Sequence, residues 1–248
     1  MVISLSPLTA PNISVPHAFT TRAGGVSPAP YASLNLGLSS GDSEPNVAAN
    51  RTRMLEAFGS TQAQCCAFHQ VHSSTIVTAK PTYFELEADA SITNDPSLTL
   101  IISTADCLPI LFYDPIQQVV GAAHCGWRGT VAKLASKMIQ RFIDDYSSTP
   151  QNIQVAIGPG ISRANYQVGA EVVEAFQEAE FSDRCYEPDG TGRYTLDLVA
   201  ANREVLEAAG VRNIWQNPYC TLAEPELFYS HRRDQGKTGR HWALIKLA

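Results

Sequence analysis

The stretch "LTLIISTADCLPILFYDPIQQVVGAAHCGWRGT", residues 98–130, decides how the chain folds. It holds three β-rich runs, "LTLIIS" (98–103), "LPILFYD" (108–114) and "VVGAAH" (119–124), and "DPIQQ" between the last two is a turn signal. The three read as neighbouring strands. The turn is too short for a parallel crossover, so the last two runs pair antiparallel, which argues against an all-parallel doubly wound sheet. After Gly129 the segment "TVAKLASKMIQRFIDDY" sets Val131, Leu134, Ala135, Met138, Ile139 and Phe142 at helical spacing, with Thr130 placed to cap its start. A strand thus runs into a helix through "AAHCGWRGT" (122–130), carrying reactive side chains with it.

Working outward, "IQVAIGPGI" (153–161) reads as a strand ending in a Gly/Pro loop, and "AEVVEAFQEAE" (170–180) as a helix. "DLVAANREVLEAAG" (197–210) is a helix with a glycine stop, and "VRNIWQN" and "HWALIKL" close the chain as strands. The class is α/β, a mixed, layered fold. No repeat or low-complexity tract divides it, and "SPAPYAS" (27–33) and "TNDPS" (93–97) read as surface loops, so one domain over 1–248 is expected.

Hydrophobic residues make up 44% of the 248, enough for a substantial core. The net charge of −6 offers no general basic surface for a nucleic-acid backbone, so no nucleic-acid partner is expected. The N-terminus lacks the basic start and apolar core of a secretory signal, and no apolar run approaches ~18 residues. The expectation is a cytoplasmic protein without a membrane partner. Its six cysteines (65, 66, 107, 125, 185 and 220) then stay reduced, and adjacent Cys65 and Cys66 form no CxxC motif.

Chemistry concentrates in "HQVHSS" (His69, His72), "TADCLP" (Asp106, Cys107) and "AAHCGWRG" (His124, Cys125, Arg128). If the 108–114 and 119–124 runs pair across their turn, Cys107 and His124 meet at the hairpin end remote from it. A thiolate and two imidazoles suit zinc, and three protein ligands leave one position open for water or substrate. The spacing matches no local metal motif. It leaves the plain readings open too: surface or core histidines, and a buried thiol.

These blocks do not stand alone. "FTTRAGGVS" (19–27), "SLNLG" (33–37), "HQVHSS", "ADA" (88–90), "TADCLPILFYD", "AAHCGWRGT", "IGPGIS", "YQVG" and "FYSHRRDQGKTGRHWALI" together resemble the bacterial laccase-domain family. That family is also called the YfiH family, and its members carry the names multicopper polyphenol oxidase and purine nucleoside phosphorylase. The resemblance runs collinearly along almost the whole chain. It implies a β/α fold like that of the necrotizing-factor toxins, and a zinc ion held by His72, Cys107 and His124. His69 then falls outside the motif, as a surface or pocket-wall residue. Cys125 stands where relatives often carry alanine and reads as a packed thiol.

The laccase label fits the residues poorly, because a multicopper centre needs many histidines and this chain has six, none in a His-x-His pair. A single copper in a His2Cys site is the alternative metal. The phosphorylase label implies purine nucleosides (adenosine, inosine, methylthioadenosine) and phosphate as partners, with adenosine deaminase activity besides. Asp106 and Asp89 are candidate proton carriers. Arg22, Arg51, Arg128, Arg232 and Arg233 are candidates to hold phosphate, Arg128 also standing at a helix start. Trp127 reads as core, while Phe228 and Tyr229 could be core or wall a base pocket. Two rival readings use the same residues: a metal-free Cys107/His124 hydrolase or amidase acting on peptidoglycan precursors, and a binding scaffold around a structural zinc. A monomer or weak homo-oligomer is expected.

Overall fold

A computed structural model describes residues 5–248. In chain order the strands are β1 (His17–Phe19), β2 (Cys65–His69), β3 (Ile76–Thr78), β4 (Thr82–Glu87), β5 (Ala90–Thr93), β6 (Thr99–Thr104) and β7 (Leu108–Asp114). They continue as β8 (Val119–Cys125), β9 (Gln154–Ile157), β10 (Gln167–Val168), β11 (Tyr186–Pro188), β12 (Tyr194–Leu196), β13 (Asn213–Gln216) and β14 (His241–Ile245). The α-helices are α1 (Glu44–Phe58), α2 (Trp127–Val131), α3 (Leu134–Tyr146), α4 (Ala170–Glu178) and α5 (Leu198–Ala208).

The strands form a six-stranded sheet, β13-β9-β7-β8-β5-β3, a five-stranded sheet, β1-β14-β6-β2-β4, and a small sheet, β10-β12-β11. Both large sheets mix parallel and antiparallel neighbours. The β7–β8 hairpin closes as its turn demands, with Leu108 opposite Cys125 and Pro109 opposite His124. Pro109 costs little there, at the start of its strand.

Period-2 alternation sends the two sides of this hairpin into different cores. Leu108, Ile110, Phe112, Val119 and Ala123 join Leu134, Met138 and Phe142 of α3 and residues of α4 and α5. Leu111, Tyr113, Val120 and Ala122 face Phe68, Leu100, Ile102 and Ile245 of the five-stranded sheet. The far side of that sheet packs Ala67, Ile101 and Trp242 against Met54 and Leu55 of α1. Four layers result, helices outside and two sheets within. Covering on both faces explains why these strands read as unbroken apolar runs. Gly121 admits α3 at close range, since a Cβ there would lie 2.6 Å from Met138 Cε.

Two expectations need correction. The 98–103 run is not a sheet neighbour of the hairpin but lies in the five-stranded sheet, stacked on it through Leu100 and Ile102. The turn between them passes through Asp106 in a left-handed conformation, φ 84°, which carries the chain from one layer to the other. Apolarity on both faces looks the same for a neighbour and for a stacked strand. Thr130 does not cap the helix either. The helix starts at Trp127, with Gly126 at its N-cap, and it breaks at Lys133, φ 55°, before α3. Thr130 is buried and accepts a hydrogen bond from Asn202 at 2.9 Å.

Candidate metal centre and its cavity

His72 stands in the loop after β2, Cys107 just before β7, and His124 near the end of β8. The hairpin register delivers Cys107 beside His124, as its turn requires. His72 arrives from the other sheet, in a left-handed loop conformation of φ 59°. One donor atom from each lies within 4.8 Å of the others, and Cys107 Sγ is 3.9 Å from His72 Nε2. Ligands of a tetrahedral ion at ordinary bond lengths stand about 3.5 Å apart, so the widest spacing in the trio must shorten by about 1 Å to close on a metal. Among the described residues it is the one group of this kind.

Asp89 builds the trio without joining it. Its carboxylate accepts from His124 Nδ1 at 2.8 Å, from the backbone N–H groups of Val71, His72 and Ser73, and from the Ser73 hydroxyl at 2.7 Å. One carboxylate thereby fixes the tautomer and ring direction of His124, leaving Nε2 free, and moulds the loop that presents His72. Burial works against the Asp89 charge, but the His124 and Ser73 hydrogen bonds hold its pKa below the usual range. Asp89 is fully buried, so it meets no substrate as the proton carrier the sequence suggested. It is a positioning residue.

Gly126 completes the cradle. A Cβ there would sit 2.9 Å from Cys107 Sγ and 3.1 Å from His72 Cδ2. Its φ of −72° is open to any residue, so close approach alone demands glycine. Burial pushes the Cys107 thiol up, yet the neighbouring His124 charge and hydrogen bonds outweigh it and hold the thiol at about 6. His124 rises to about 9: burial opposes the rise, and Cys107 and Asp89 drive it. Both shifts run the same way, drawing the pair towards thiolate and imidazolium, and a bound metal would take the place of their shared proton. The donor set fits one borderline-soft ion.

The trio opens into a cavity of about 510 Å³, within the usual range for small-molecule sites. Trp127, Tyr166, Arg51, Arg128, Arg232 and Arg240 all contribute to its wall. Arg128 lies over the Trp127 ring at 4.3 Å, and Arg232 over Tyr166 at 5.2 Å while donating to the Gln167 carbonyl. Trp127, expected in the core, does both jobs, half-buried against the helical core and facing the cavity. His69 is exposed on the cavity wall.

Other candidates lie elsewhere or are engaged. Arg22 donates to the carbonyls of Ala32 and Pro225 and stacks on Tyr229, away from the cavity. Arg233 is taken up by Asp234 and by backbone carbonyls. Asp106 reaches the cavity, but its carboxylate accepts from Thr221 Oγ1 at 2.6 Å, Ser230 Oγ at 3.0 Å and Arg232 N at 2.7 Å. It pins the 230–232 turn, and with it Arg232, rather than standing free to carry a proton. Cys125 is core, and burial pushes its thiol up. Phe228 and Tyr229 are fully buried. Arg240 and Tyr166 line the cavity too, and the only sequence signal for them is that they stand in blocks that carry the resemblance, "TGRHWALI" and "YQVG".

The family model described as multi-copper polyphenol oxidoreductase laccase matches residues 16–248. The chain belongs to this laccase-domain family. A curated relative from Deinococcus radiodurans, named purine nucleoside phosphorylase, is 45% identical over 97% of this chain and 92% of its own. The purine nucleoside phosphorylase YlmD of Bacillus subtilis is 37% identical over 94% of this chain and 89% of its own. The crystal structure of YlmD from Geobacillus stearothermophilus superposes with a TM-score of 0.90 at 35% identity, covering 96% of this chain and 94% of that one. The mixed α/β architecture is therefore the family's. No helix among the described residues is long and apolar enough to cross a membrane.

Proposed function

We propose that the cavity carries out phosphorolysis of purine nucleosides beside a zinc ion held by His72, Cys107 and His124. Orthophosphate attacks the anomeric carbon, the bond to the purine nitrogen breaks, and free base and ribose 1-phosphate leave. When bound, the ion supplies a Lewis acid for a substrate oxygen or a water molecule. Arg128 and Arg232 orient the phosphate; each has guanidinium N–H groups that no protein acceptor takes. Trp127 and Tyr166 offer aromatic faces to the purine or ribose. Burial pushes Tyr166 up to about 12, so it keeps its proton at neutral pH. The observation that carries the reading is the three-donor trio opening onto a cavity whose arginines are unpaired, in a chain whose relatives bear the phosphorylase name.

We assign the same cavity a deaminase activity on adenosine, in which water replaces the 6-amino group and ammonia leaves. Substrates of this kind and six free cysteines suit a cytoplasmic enzyme. The test is metal-replete protein incubated with adenosine or inosine, with and without phosphate. Adenine or hypoxanthine formed only with phosphate supports phosphorolysis, and inosine formed from adenosine supports deamination. Neither product overturns both.

One observation favours a second reading. The Cys107 thiolate and His124 imidazolium form the pair a cysteine hydrolase or amidase uses, on peptidoglycan precursors for instance. His72 has no part in such a dyad. Amide hydrolysis that survives both chelation and His72→Ala would favour it. A structural zinc in a binding scaffold instead gives unfolding on chelation and no turnover at all. Copper chemistry of the multicopper kind has one donor cluster to work with among the described residues, and a single copper in that cluster is the remaining alternative to zinc.

A further inference from the structure

A purine departs from the anomeric carbon with the electron pair of the broken bond, so it leaves readily only when a ring nitrogen gains a proton. The two carboxylates that the sequence suggested as carriers are engaged, Asp89 inside the fold and Asp106 by three donors. Of the other groups on the cavity wall, His72, Cys107 and His124 form the metal trio, and arginine does not give up its proton. Tyr166, which burial pushes up to about 12, is too weak an acid. Two imidazoles remain on the wall, His69 and His231. Both are exposed, and no ring nitrogen of either makes a hydrogen bond among the described residues. Imidazole is also the side chain best suited to exchange a proton near neutral pH.

The fold holds the two differently. Beside His69 the clasped group is its neighbour Gln70, whose side chain exchanges two hydrogen bonds of 2.8 Å with the Ser103 backbone. Around His231 both neighbours are held, and by one atom: Asp106 Oδ2 accepts from Ser230 Oγ at 3.0 Å and from Arg232 N at 2.7 Å. The His231 carbonyl accepts from Gly236 N at 2.9 Å, which closes the turn. Gly236 has φ 86°, and a Cβ there would lie 3.3 Å from His231 Cε1, so the imidazole ring rests against the glycine.

Adjacency to Arg232 gives this placement its use. In a displacement, phosphate and departing nitrogen lie on opposite sides of the anomeric carbon, so the groups that serve them must keep a fixed separation. Consecutive residues of one clamped turn meet that need. Arg232 lies over Tyr166 at 5.2 Å, and His231 takes a separate seat on Gly236.

We propose that His231 is a catalytic residue of the phosphorolysis, the acid that protonates the departing purine, held in step with Arg232 by the Asp106 clasp. The assignment rests on the phosphorolysis reading above. As an oxygen of hydrogen phosphate bonds to the anomeric carbon, the imidazolium gives its proton to purine N7. The electron pair of the breaking C–N bond stays on the purine, which leaves as the neutral base. His231 recovers its proton through solvent from the monoprotonated ribose 1-phosphate.

The test compares inosine with 7-methylinosine, whose purine already carries the positive charge that protonation would supply and needs no acid to leave. Zinc content and initial rates over a range of phosphate are measured for zinc-replete parent, His231→Gln and His69→Gln. His231→Gln should keep its zinc and lose about 100- to 10,000-fold in kcat on inosine. Its KM for phosphate and its kcat on 7-methylinosine should both stay within about threefold of the parent, as should both rates in His69→Gln. An equal loss on the two nucleosides in folded, zinc-loaded His231→Gln means a structural or binding role and overturns the proposal. So does inosine turnover within about fivefold of the parent. A loss confined to His69→Gln overturns the choice of histidine. Where the parent cleaves inosine and refuses 7-methylinosine, added imidazole decides: inosine turnover restored in His231→Ala supports the acid, and no restoration overturns it. A parent that does not cleave inosine overturns the phosphorolysis reading itself, and this assignment with it.

Discussion

Gly126→Ala isolates the cradle from the rest of the fold. Its backbone, φ −72° and ψ 177°, accepts alanine without strain, so the whole effect comes from the added methyl. That carbon would lie 2.9 Å from Cys107 Sγ and 3.1 Å from His72 Cδ2. Ordinary contacts begin at about 3.5 Å, so thiol and ring must give way by roughly half an ångström. Metal sites tolerate ligand displacements of about 0.2 Å. The variant should therefore bind zinc about 10- to 100-fold more weakly, an effect of the size seen when a ligand loses its support. Crowding should cost the fold about 1–3 kcal/mol. Competition against a chromophoric chelator reads the first quantity, and urea unfolding of the metal-free protein the second. Zinc affinity within about twofold of the parent in a folded variant would refute the reasoning. The three side chains would then not converge at this glycine.

Three further outcomes are expected. Asp89→Asn sets an amide N–H against donors that now share a carboxylate, and should weaken zinc binding by about 10- to 100-fold; unchanged affinity in the chelator competition would remove Asp89 from its positioning role. Arg128→Met should raise the KM for phosphate about tenfold or more with less change in nucleoside KM, which initial-rate kinetics would check. His241 is fully buried with Nε2 accepting the Tyr229 N–H, and burial, reinforced by Arg22, Arg240 and Arg233, holds it down to about 3. The unfolded chain, with an ordinary histidine near 6.5, binds that proton first, so stability from this group is intact above about 6.5 and falls by roughly 1.4 kcal/mol per pH unit as pH drops towards 3. Urea titrations between those limits should show His241→Gln losing that slope, and equal slopes in both proteins would contradict it.

The hairpin was legible in the sequence because its turn is short and its two runs fit one register, and that register alone brings Cys107 to His124. The third donor was not legible that way. His72 comes from a loop in the other layer, held by the Asp89 carboxylate just before β5, and no local spacing encodes such a meeting; only the family resemblance pointed to it. Asp106 looked like chemistry because it stands beside the ligand Cys107, and Asp89 because it lies in the "ADA" block that carries the resemblance. The hydrogen bonds that occupy them come from residues up to 126 positions away. Arg51 was singled out and Arg240 was not, yet the two stand together because β14 and the segment before α1 meet over one backbone stretch. Charge counted along the chain gives a mildly acidic protein; only the fold brings Arg51, Arg128, Arg232 and Arg240 to the wall of one cavity.

The central claim, that His72, Cys107 and His124 hold one ion which nucleoside turnover requires, is tested most directly by assaying metal content and inosine phosphorolysis on the same samples. Parent protein should carry close to one zinc per chain and release hypoxanthine and ribose 1-phosphate, and His72→Ala, Cys107→Ser and chelated parent should lose both together, with zinc restoring the parent alone. Phosphorolysis that persists in metal-free, folded protein would contradict the account.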